Sequence, residues 1–292
     1  MISKDLRAAS REIRSLLHTA QKPLIVAHIR PDGDAIASTL GLGLCLADAG
    51  KQCQMVLPDG IPARFKFLEG SRNIRNRMEP GYDLVVALDC SDHKRLGENL
   101  SGIPVDINID HHITNEQFAK FNLVLPEEPA TAAILTRYLP EWGFPLTPTV
   151  ANALLTGIVT DTIGFRTSNV SPESLRQTAA LIEAGANLSD VYEKALVYQS
   201  YAASLLWGLA LSRLQKEGKL AWTSITMEDR KKAGYSGRDD ADLTNQMSAI
   251  ENLNIVILFN EQNDCKIKVS WRSHSGIDVS KIAQRFGGGG HP

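Results

Sequence analysis

Short apolar runs alternate with longer amphipathic stretches through the first half of the chain. The apolar runs are typical of buried strands and cover residues 23–29, 52–57, 83–89 and 104–110. Residues 3–19 and 35–50 instead carry apolar side chains at helical spacing. Strands separated by helices are typical of β-α-β units, so the pattern predicts a parallel sheet with helices on both faces.

From residue 129 onward the pattern becomes helical. Residues 129–160 predict two helices, the second of them in "PTVANALLTGIVTDT". Another helix is predicted after Ser171, a good N-cap residue that Pro172 follows, and it should end at Gly185. Residues 188–215 also have a helical pattern and predict a connection between two units.

After residue 216 the chain returns to strands. Three strands are predicted in "KLAWTSITM", "LNIVILFNE" and "CKIKVSWRS", with a hairpin turn at 262–264 and a short helix in "DVSKIAQRF". We therefore expect an α/β protein with two domains. Residues 1–190 would form the larger domain, residues 191–215 a helical linker, and residues 216–292 a smaller α/β domain.

Composition limits the classes of function. The 292 residues carry a formal net charge of −2, which argues against a nucleic-acid coat protein with a broad basic face. The four cysteines contain no C-x-x-C pair, so we expect reduced thiols in the cytoplasm rather than a zinc site or disulfides. The charged N-terminus does not resemble a signal peptide, and no apolar run approaches the roughly 20 residues of a membrane span, so we expect no membrane partner.

The strongest local signal for chemistry is the segment "HIRPDGDAIAS". It places His28, Asp32 and Asp34 between the end of a predicted strand and the start of a predicted helix. Ligands bind at this edge of open parallel sheets. For this segment alone, a polar loop whose aspartates cap the next helix is an equally good interpretation.

Three further segments place acids or histidines where an apolar element meets a loop. Asp89 ends one predicted strand, "DHH" at 110–112 ends another, and Asp161 ends a predicted helix. A single aspartate of this kind is more often a cap or turn residue. Four coincident cases favour one shared site.

Charge indicates what such a site would hold. Four aspartates and two histidines at one edge would repel one another without a counter-charge, and two divalent cations supply roughly the four positive charges needed. Carboxylates mixed with imidazoles suit Mn²⁺, Fe²⁺, Co²⁺ or Zn²⁺ better than Ca²⁺, and the lack of cysteine ligands argues against a structural zinc. Two such ions about 3.5–4 Å apart are a common device for hydrolysing phosphate esters.

The same segments resemble the motifs of a known family. "HIRPDGDAIAS", "ALDCSD", "NIDHHITN" and "TGIVTDTIGFRT" look like the four motifs of the DHH phosphoesterases, in the family's order. The tail "SWRSHSGIDVSKIAQRFGGGGH" looks like the companion C-terminal domain, DHHA1. Within the family, the chain resembles the short bifunctional oligoribonuclease/pAp phosphatases of the NrnA type.

The resemblance implies six metal ligands and two divalent cations, with Mn²⁺ expected. His28 and Asp32 would hold one ion, Asp34, His111 and Asp161 the other, and Asp89 would bridge both. His112 would face the scissile phosphate and stabilise its charge. Asp110 would orient the pair of histidines.

The resemblance also implies residues that hold the substrate. A forked arginine suits phosphate, and glycines let backbone N–H groups approach an anion. The substrate-binding residues that the resemblance implies are Arg272, Ser273, Gly288, Gly289, Gly290 and His291. Arg166 is a further candidate, because it follows Asp161 closely in the sequence. The family continues past this loop with a helix that the sequence here does not include, so either the sequence is truncated at the loop or this member of the family lacks the helix.

The implied function is hydrolysis of short oligoribonucleotides or dinucleotides, and of the 3′-phosphate of pAp, by hydroxide that two metal ions activate. The near-neutral charge agrees with short substrates rather than long duplexes. A cyclic- or linear-dinucleotide phosphodiesterase, a RecJ-type single-strand exonuclease and a manganese pyrophosphatase are alternatives with the same chemistry. A nucleotide-binding sensor without catalysis is an alternative from another class. The helical segment 188–215 would also suit a homodimer interface.

Overall fold

The computed structural model describes residues 4–100, 102–273 and 276–289. The chain divides into two compact units, Met1–Tyr198 and Gln199–Pro292. The break between the units falls inside the predicted linker. The assignment of separate roles to residues 1–190, 191–215 and 216–292 stays a prediction.

A six-stranded sheet forms the centre of the first unit, and each pair of neighbouring strands is parallel. Its strands follow the order β3-β2-β1-β4-β5-β6. They are β1 (Pro23–Ala27), β2 (Gln54–Val56), β3 (Ile74–Arg75), β4 (Leu84–Leu88), β5 (Ile107–Asp110) and β6 (Phe121–Val124). The prediction of a parallel sheet is confirmed. The edge strands β3 and β6 were not predicted, because they are short and mostly half-buried and so lack a continuous apolar run.

The first unit contains helices of three kinds. The α-helices are α1 (Lys4–Thr19), α2 (Gly33–Asp48), α3 (Thr131–Glu141), α4 (Pro148–Asp161), α5 (Pro172–Glu183) and α6 (Leu188–Tyr192). The 3₁₀ helices are Ala63–Phe65, Ser71–Asn73, His93–Leu96 and Glu98–Leu100, and a π-helix covers Glu193–Val197. Helix α5 begins with the predicted cap, where Ser171 Oγ accepts a hydrogen bond from the backbone N–H of Ser174.

Successive residues of the central strands face opposite sides of the sheet, and both sides are buried. Ile25, Ala27, Val86 and Leu88 pack into the larger core with apolar residues of α1 to α4. Leu24, Val26, Val85 and Ala87 face the other way, toward residues of the 3₁₀ helices His93–Leu96 and Glu98–Leu100 and nearby loops. The α-helices thus pack on one face, whereas two short 3₁₀ helices and loops cover the other, where longer helices were predicted. This two-sided burial explains why the strands are continuous apolar runs.

The second unit is built on a four-stranded mixed sheet in the order β10-β9-β8-β7. Strands β9 and β10 form the predicted antiparallel hairpin, whereas β8 and β9 are parallel. The strands are β7 (Gln215–Glu217), β8 (Leu220–Ile225), β9 (Ile255–Glu261) and β10 (Ile267–Ser273). The α-helices are α7 (Tyr201–Leu211), α8 (Met227–Ala233), α9 (Leu243–Met247) and α10 (Ser280–Arg285), and a 3₁₀ helix covers Asn263–Cys265.

The segment 188–215 is not one continuous helix. It consists of α6, the π-helix and α7, with a break at 198–200 and the start of β7 at Gln215. Ser200 caps α7 by accepting a hydrogen bond from Ala203 N, and this cap gives the break its local cause. Among the residues that the structure describes, no helix is long and apolar enough to cross a membrane.

Candidate metal centre

The residues of the predicted cluster meet at the carboxyl edge of the first unit's sheet. His28 directly follows β1, Asp89 follows β4, and Asp110 is the last residue of β5. Because β1, β4 and β5 are adjacent and parallel, these positions lie side by side at one edge. Asp32 is the N-cap of α2.

His28 presents one ring nitrogen to two carboxylates. Its Nδ1–H donates to the carbonyl oxygen of Ile29 at 2.8 Å, and this bond fixes the tautomer, since a carbonyl only accepts. Its Nε2 lies 3.6 Å from Asp32 Oδ2 and 3.5 Å from Asp89 Oδ2. This Nε2 is buried and has no hydrogen-bond partner. An orphaned imidazole nitrogen facing carboxylate oxygens is the arrangement of a metal ligand.

His111 repeats this arrangement on the other side of Asp89. Its Nδ1 lies 3.3 Å from the carbonyl oxygen of Glu128, to which it donates. Its Nε2 lies 3.5 Å from Asp89 Oδ1, 3.6 Å from Asp161 Oδ2 and 3.9 Å from Asp34 Oδ2. The two carboxylate oxygens of Asp89 therefore face two different histidines.

Asp89 is held in an unusual backbone conformation. Its φ is +53°, a left-handed value that aspartate tolerates better than most residues. Its backbone N–H donates to the carbonyl of Ile109 at 3.0 Å, and its Oδ1 accepts a 3.1 Å hydrogen bond from Thr131 Oγ1. The side chain is 1 % exposed. These contacts turn the carboxylate into the cluster rather than along the strand.

Asp34 closes the group around His111 and also caps a helix. Its Oδ2 accepts from the backbone N–H of Thr131 at 2.6 Å, and its Oδ1 accepts from that of Ala132 at 3.0 Å. These donors belong to the first turn of α3, whose own N-cap residue, Ala130, offers no side-chain hydrogen bond. The positive end of the helix dipole thus stabilises this buried carboxylate.

The pKa values describe a centre that retains protons when it holds no cation. Burial by itself would lower the pKa of His28, but the nearby carboxylates of Asp32 and Asp89 raise it to about 10. Burial and the charges of Asp89 and Asp161 raise the pKa of Asp34 well above its usual value. Burial would also raise the pKa of Asp89, but the nearby imidazoles of His28, His112 and His111 lower it strongly.

His112 is paired with Asp110 rather than with the ligand group of His28. Its Nδ1 lies 2.7 Å from Asp110 Oδ1, a carboxylate that is fully buried. Burial would lower the pKa of His112, but the bond to Asp110 and the charge of Asp89 raise it to about 9. The ring is 13 % exposed, so His112 joins the buried cluster to its surface.

The donor atoms form three overlapping groups that are suited to metal ions. In each group one nitrogen or oxygen per residue lies within 4.8 Å of the others. The groups are His28 with Asp32 and Asp89, Asp34 with His111 and Asp161, and Asp89 with His111 and His112. Imidazole nitrogens mixed with carboxylate oxygens fit first-row divalent metals. These residues would therefore hold divalent cations.

Among the predicted substrate residues, Arg166 belongs to the first unit and the others belong to the second. Arg166 is exposed in the loop after Asp161, where Ile163, Gly164 and Phe165 all have positive φ. In the second unit, Arg272 Nε donates to Asn245 Oδ1 at 2.9 Å.

The structure also describes Ser273 and the first part of the glycine loop, which are further predicted substrate-binding residues. Ser273 Oγ donates to the carbonyl of Ile277 at 2.6 Å. Gly288 follows α10 and donates its N–H to Ala283 O at 2.9 Å, and Gly289 is also described. Gly290 and His291 lie outside the described residues. Substrate-binding roles for these residues stay predictions.

Several residues that shape the centre were not found from the sequence. Thr131 contacts both Asp34 and Asp89, and Asn115 contacts Asp110. Asn115 lies within the segment "NIDHHITN", so its nearness to the histidines was a usable signal. Thr131 follows "EEPA" at the start of a predicted helix, and its sequence position carries no signal for the site.

A parallel α/β fold with a histidine and carboxylate centre at its carboxyl edge defines the class of protein. Residues 22–158 match the DHH family, N-terminal domain, and residues 232–292 match the DHHA1 domain. The chain belongs to the DHH family of phosphoesterases and carries the companion DHHA1 domain. The predicted enzyme class, a phosphate-ester hydrolase, is thereby confirmed.

Two similar proteins match this chain over nearly its whole length. The bifunctional oligoribonuclease and PAP phosphatase NrnA of Thermus thermophilus is 35 % identical, and the match covers 96 % of this chain and 85 % of the relative. The crystal structure of an exopolyphosphatase-related protein from Bacteroides fragilis superposes with a TM-score of 0.89 at 27 % identity, covering 100 % of this chain and 91 % of the other.

A more distant solved structure shares the fold only. RecJ from Thermus thermophilus in complex with Mn²⁺ superposes with a TM-score of 0.55 at 14 % identity. The match covers 97 % of this chain and 49 % of RecJ.

Proposed function

We propose that this phosphoesterase hydrolyses short oligoribonucleotides, dinucleotides included, and removes the 3′-phosphate of pAp. The observation that carries the proposal is the position of Asp89, whose two carboxylate oxygens face His28 and His111 separately. The similarity to the Thermus NrnA, a protein named for oligoribonuclease and PAP phosphatase activity, supports the substrate class.

Six side chains would hold two divalent cations, for which Mn²⁺ is the proposed metal. When bound, such ions act as Lewis acids on phosphoryl oxygens and lower the pKa of water. His28 and Asp32 would serve one cation, Asp34, His111 and Asp161 the other, and Asp89 both. The bonds from His28 Nδ1 to Ile29 O and from His111 Nδ1 to Glu128 O keep both Nε2 atoms turned inward.

His112 would act on the phosphate itself. The carboxylate of Asp110 holds its Nδ1 at 2.7 Å and raises the pKa of the ring to about 9, so the imidazole is cationic near neutral pH. A cationic ring that is 13 % exposed would stabilise the negative charge that develops on a phosphoryl oxygen and then donate its proton to the leaving oxygen.

Residues of the second unit would bind the rest of the substrate. Arg272 is exposed, and its planar guanidinium suits a phosphate. Ser273 and the loop Gly288, Gly289, Gly290 and His291 would supply further donors, and Arg166 would do so from the first unit. A binding site built from so few cations favours short substrates over long duplexes.

A substrate panel with Mn²⁺ tests this proposal. It compares a dinucleotide, a five-nucleotide RNA, a long single strand, pAp, a cyclic dinucleotide and pyrophosphate at equal concentration. We expect the dinucleotide, the short RNA and pAp to be hydrolysed, with kcat/KM at least about tenfold above that of the long strand. Comparable turnover of the long strand, or turnover of pyrophosphate alone, would overturn the proposed substrate class.

A further inference from the structure

Asp110 is a buried carboxylate held in place by hydrogen bonds to both of its oxygens. It is fully buried, and within the described part of the chain its one ion pair is with His112. Its Oδ1 accepts from His111 N at 2.8 Å and from His112 Nδ1 at 2.7 Å. Its Oδ2 accepts from Asn115 Nδ2 at 2.6 Å. A buried carboxylate oxygen without a donor is strongly disfavoured, so the bond from Asn115 is a necessary part of this arrangement.

The amide of Asn115 has a defined orientation. Its Oδ1 accepts from the backbone N–H of Gln117 at 2.7 Å, so its Nδ2 must face Asp110. The same Nδ2 lies 2.8 Å from Asn108 Oδ1. Asn108, itself fully buried, turns its own Nδ2 to the carbonyls of Ala87 and Cys90. Asn115 thus joins the end of β5, through Asn108 and Asp110, to the end of β4.

We infer that Asn115 is a positioning residue for the reaction, acting on His112 through Asp110. This inference rests on the proposed role of His112. The amide holds one oxygen of Asp110, and the other oxygen then has a fixed direction toward His112 Nδ1. Without Asn115, the carboxylate loses its third donor and the imidazole loses its fixed orientation at the surface of the cluster.

The test is a double-mutant cycle on the Mn²⁺-loaded full chain, with a dinucleotide as substrate. Asn115→Ala should lower kcat by about 10–100-fold with little change in KM, the usual scale for a group that orients a functional histidine. In the His112→Ala background the same substitution should have no further effect, because the residue through which it acts is gone. Mn²⁺ affinity, measured by calorimetry, should change by less than about threefold.

Two further variants keep the test decisive. Asn122→Ala removes an asparagine of β6 whose side chain, among the described residues, bonds to the backbone of Ala119 in the adjoining turn, and it should leave kcat unchanged. Asn115→Asp preserves volume if the alanine variant does not fold, but it replaces the donor by an acceptor that faces Asp110. The kcat of Asn115→Asp should therefore fall by at least as much as that of Asn115→Ala.

The outcomes separate the inference from the proposed function. Normal kcat in Asn115→Ala or Asn115→Asp would overturn the positioning role, and so would an undiminished further loss in the His112→Ala background. Full activity of His112→Ala by itself would instead overturn the proposed role of His112, and the inference with it. Loss of activity in His112→Ala beside normal activity in Asn115→Ala would overturn the inference alone.

Discussion

A Cβ atom on Gly157 would lie 2.7 Å from Oδ1 of Asp34. Gly157 belongs to α4 and Asp34 belongs to α2. Because glycine has no side chain, the carboxylate of Asp34 can occupy the space beside it. The same Cβ would lie 2.5 Å from the Cβ of Ala132 in α3. Thr131 N and Ala132 N hold the Asp34 carboxylate at 2.6 and 3.0 Å, so a shift of the carboxylate away from an added Cβ would strain these two hydrogen bonds.

The first prediction is therefore that Gly157→Ala weakens metal binding. The added methyl group must displace Asp34 or α3, and we expect Mn²⁺ affinity to fall by about 10–100-fold in calorimetry. Gly208→Ala in α7 is the matched control, because its added Cβ would meet no atom within 4 Å. The control should keep its Mn²⁺ affinity and gain up to about 1 kcal/mol of stability. Unchanged affinity in Gly157→Ala would contradict the prediction.

The second prediction concerns removal of the metal. Asp32, Asp34, Asp89 and Asp161 converge on two histidines, and a bound cation relieves their repulsion only in the folded state. Added Mn²⁺ should raise the melting temperature in proportion to the logarithm of its concentration, with about 2.7 kcal/mol gained at a hundredfold excess over the dissociation constant. A chelator should reverse the shift. Equal melting temperatures with and without Mn²⁺ would show that the carboxylates do not form a cation site.

The third prediction is that the metal-free protein loses stability in alkaline solution. The folded-state pKa of His28 is raised from 6.5 to about 10, and that of His112 to about 9. Groups with a raised folded pKa stabilise the fold fully below their unfolded pKa, and this contribution is lost as pH rises through the folded pKa. The urea midpoint of the metal-free protein should thus fall between about pH 7 and about pH 10.

The Mn²⁺-loaded protein is the control for that measurement. A histidine nitrogen bound to a cation carries no proton to lose, so the midpoint should depend less on pH. A metal-free midpoint that stays constant or rises over this range would contradict the assigned pairing of the histidines with carboxylates.

Much of the centre could be predicted because its residues sit at the ends of apolar runs. His28, Asp89 and Asp110 each follow or end a strand that is buried on both faces, and parallel strands bring such ends together. The position of Asp34 over α3 could not be predicted. It depends on the contact of Asp34 with Thr131, which lies 97 residues away in the sequence, and no local pattern reports such a contact.

The outer strands and the segment 188–215 were less predictable for a different reason. Strand β6 is mostly half-buried, so its residues show no continuous apolar run. Residues 188–215 carry helix-forming residues throughout, and the break at 198–200 depends on one cap, Ser200. The spacing of apolar residues indicates that the segment is helical, but it does not reveal the hydrogen bond at Ser200 that marks the start of a new helix.

The fourth prediction tests the proposed substrate role of Arg272. Arg272→Ala should raise KM for a dinucleotide by about tenfold or more with kcat nearly unchanged, because a charged hydrogen bond to phosphate contributes about 1.5–3 kcal/mol. Lys268→Ala removes another exposed cation from the same strand, β10, and should have little effect. Equal changes in the two variants would indicate a general charge effect and contradict a specific contact.

The most direct test of the whole account uses the two aspartates that flank β4. Asp89 follows the strand at the candidate centre, whereas Asp83 precedes it and accepts from Gln21 N and Lys22 N at 2.7 and 2.9 Å. The measurement is the rate of dinucleotide hydrolysis with saturating Mn²⁺. We predict that Asp89→Asn lowers it by at least about a hundredfold while Asp83→Asn stays near the wild-type rate. Full activity in Asp89→Asn would contradict a centre in which one carboxylate serves both histidine groups.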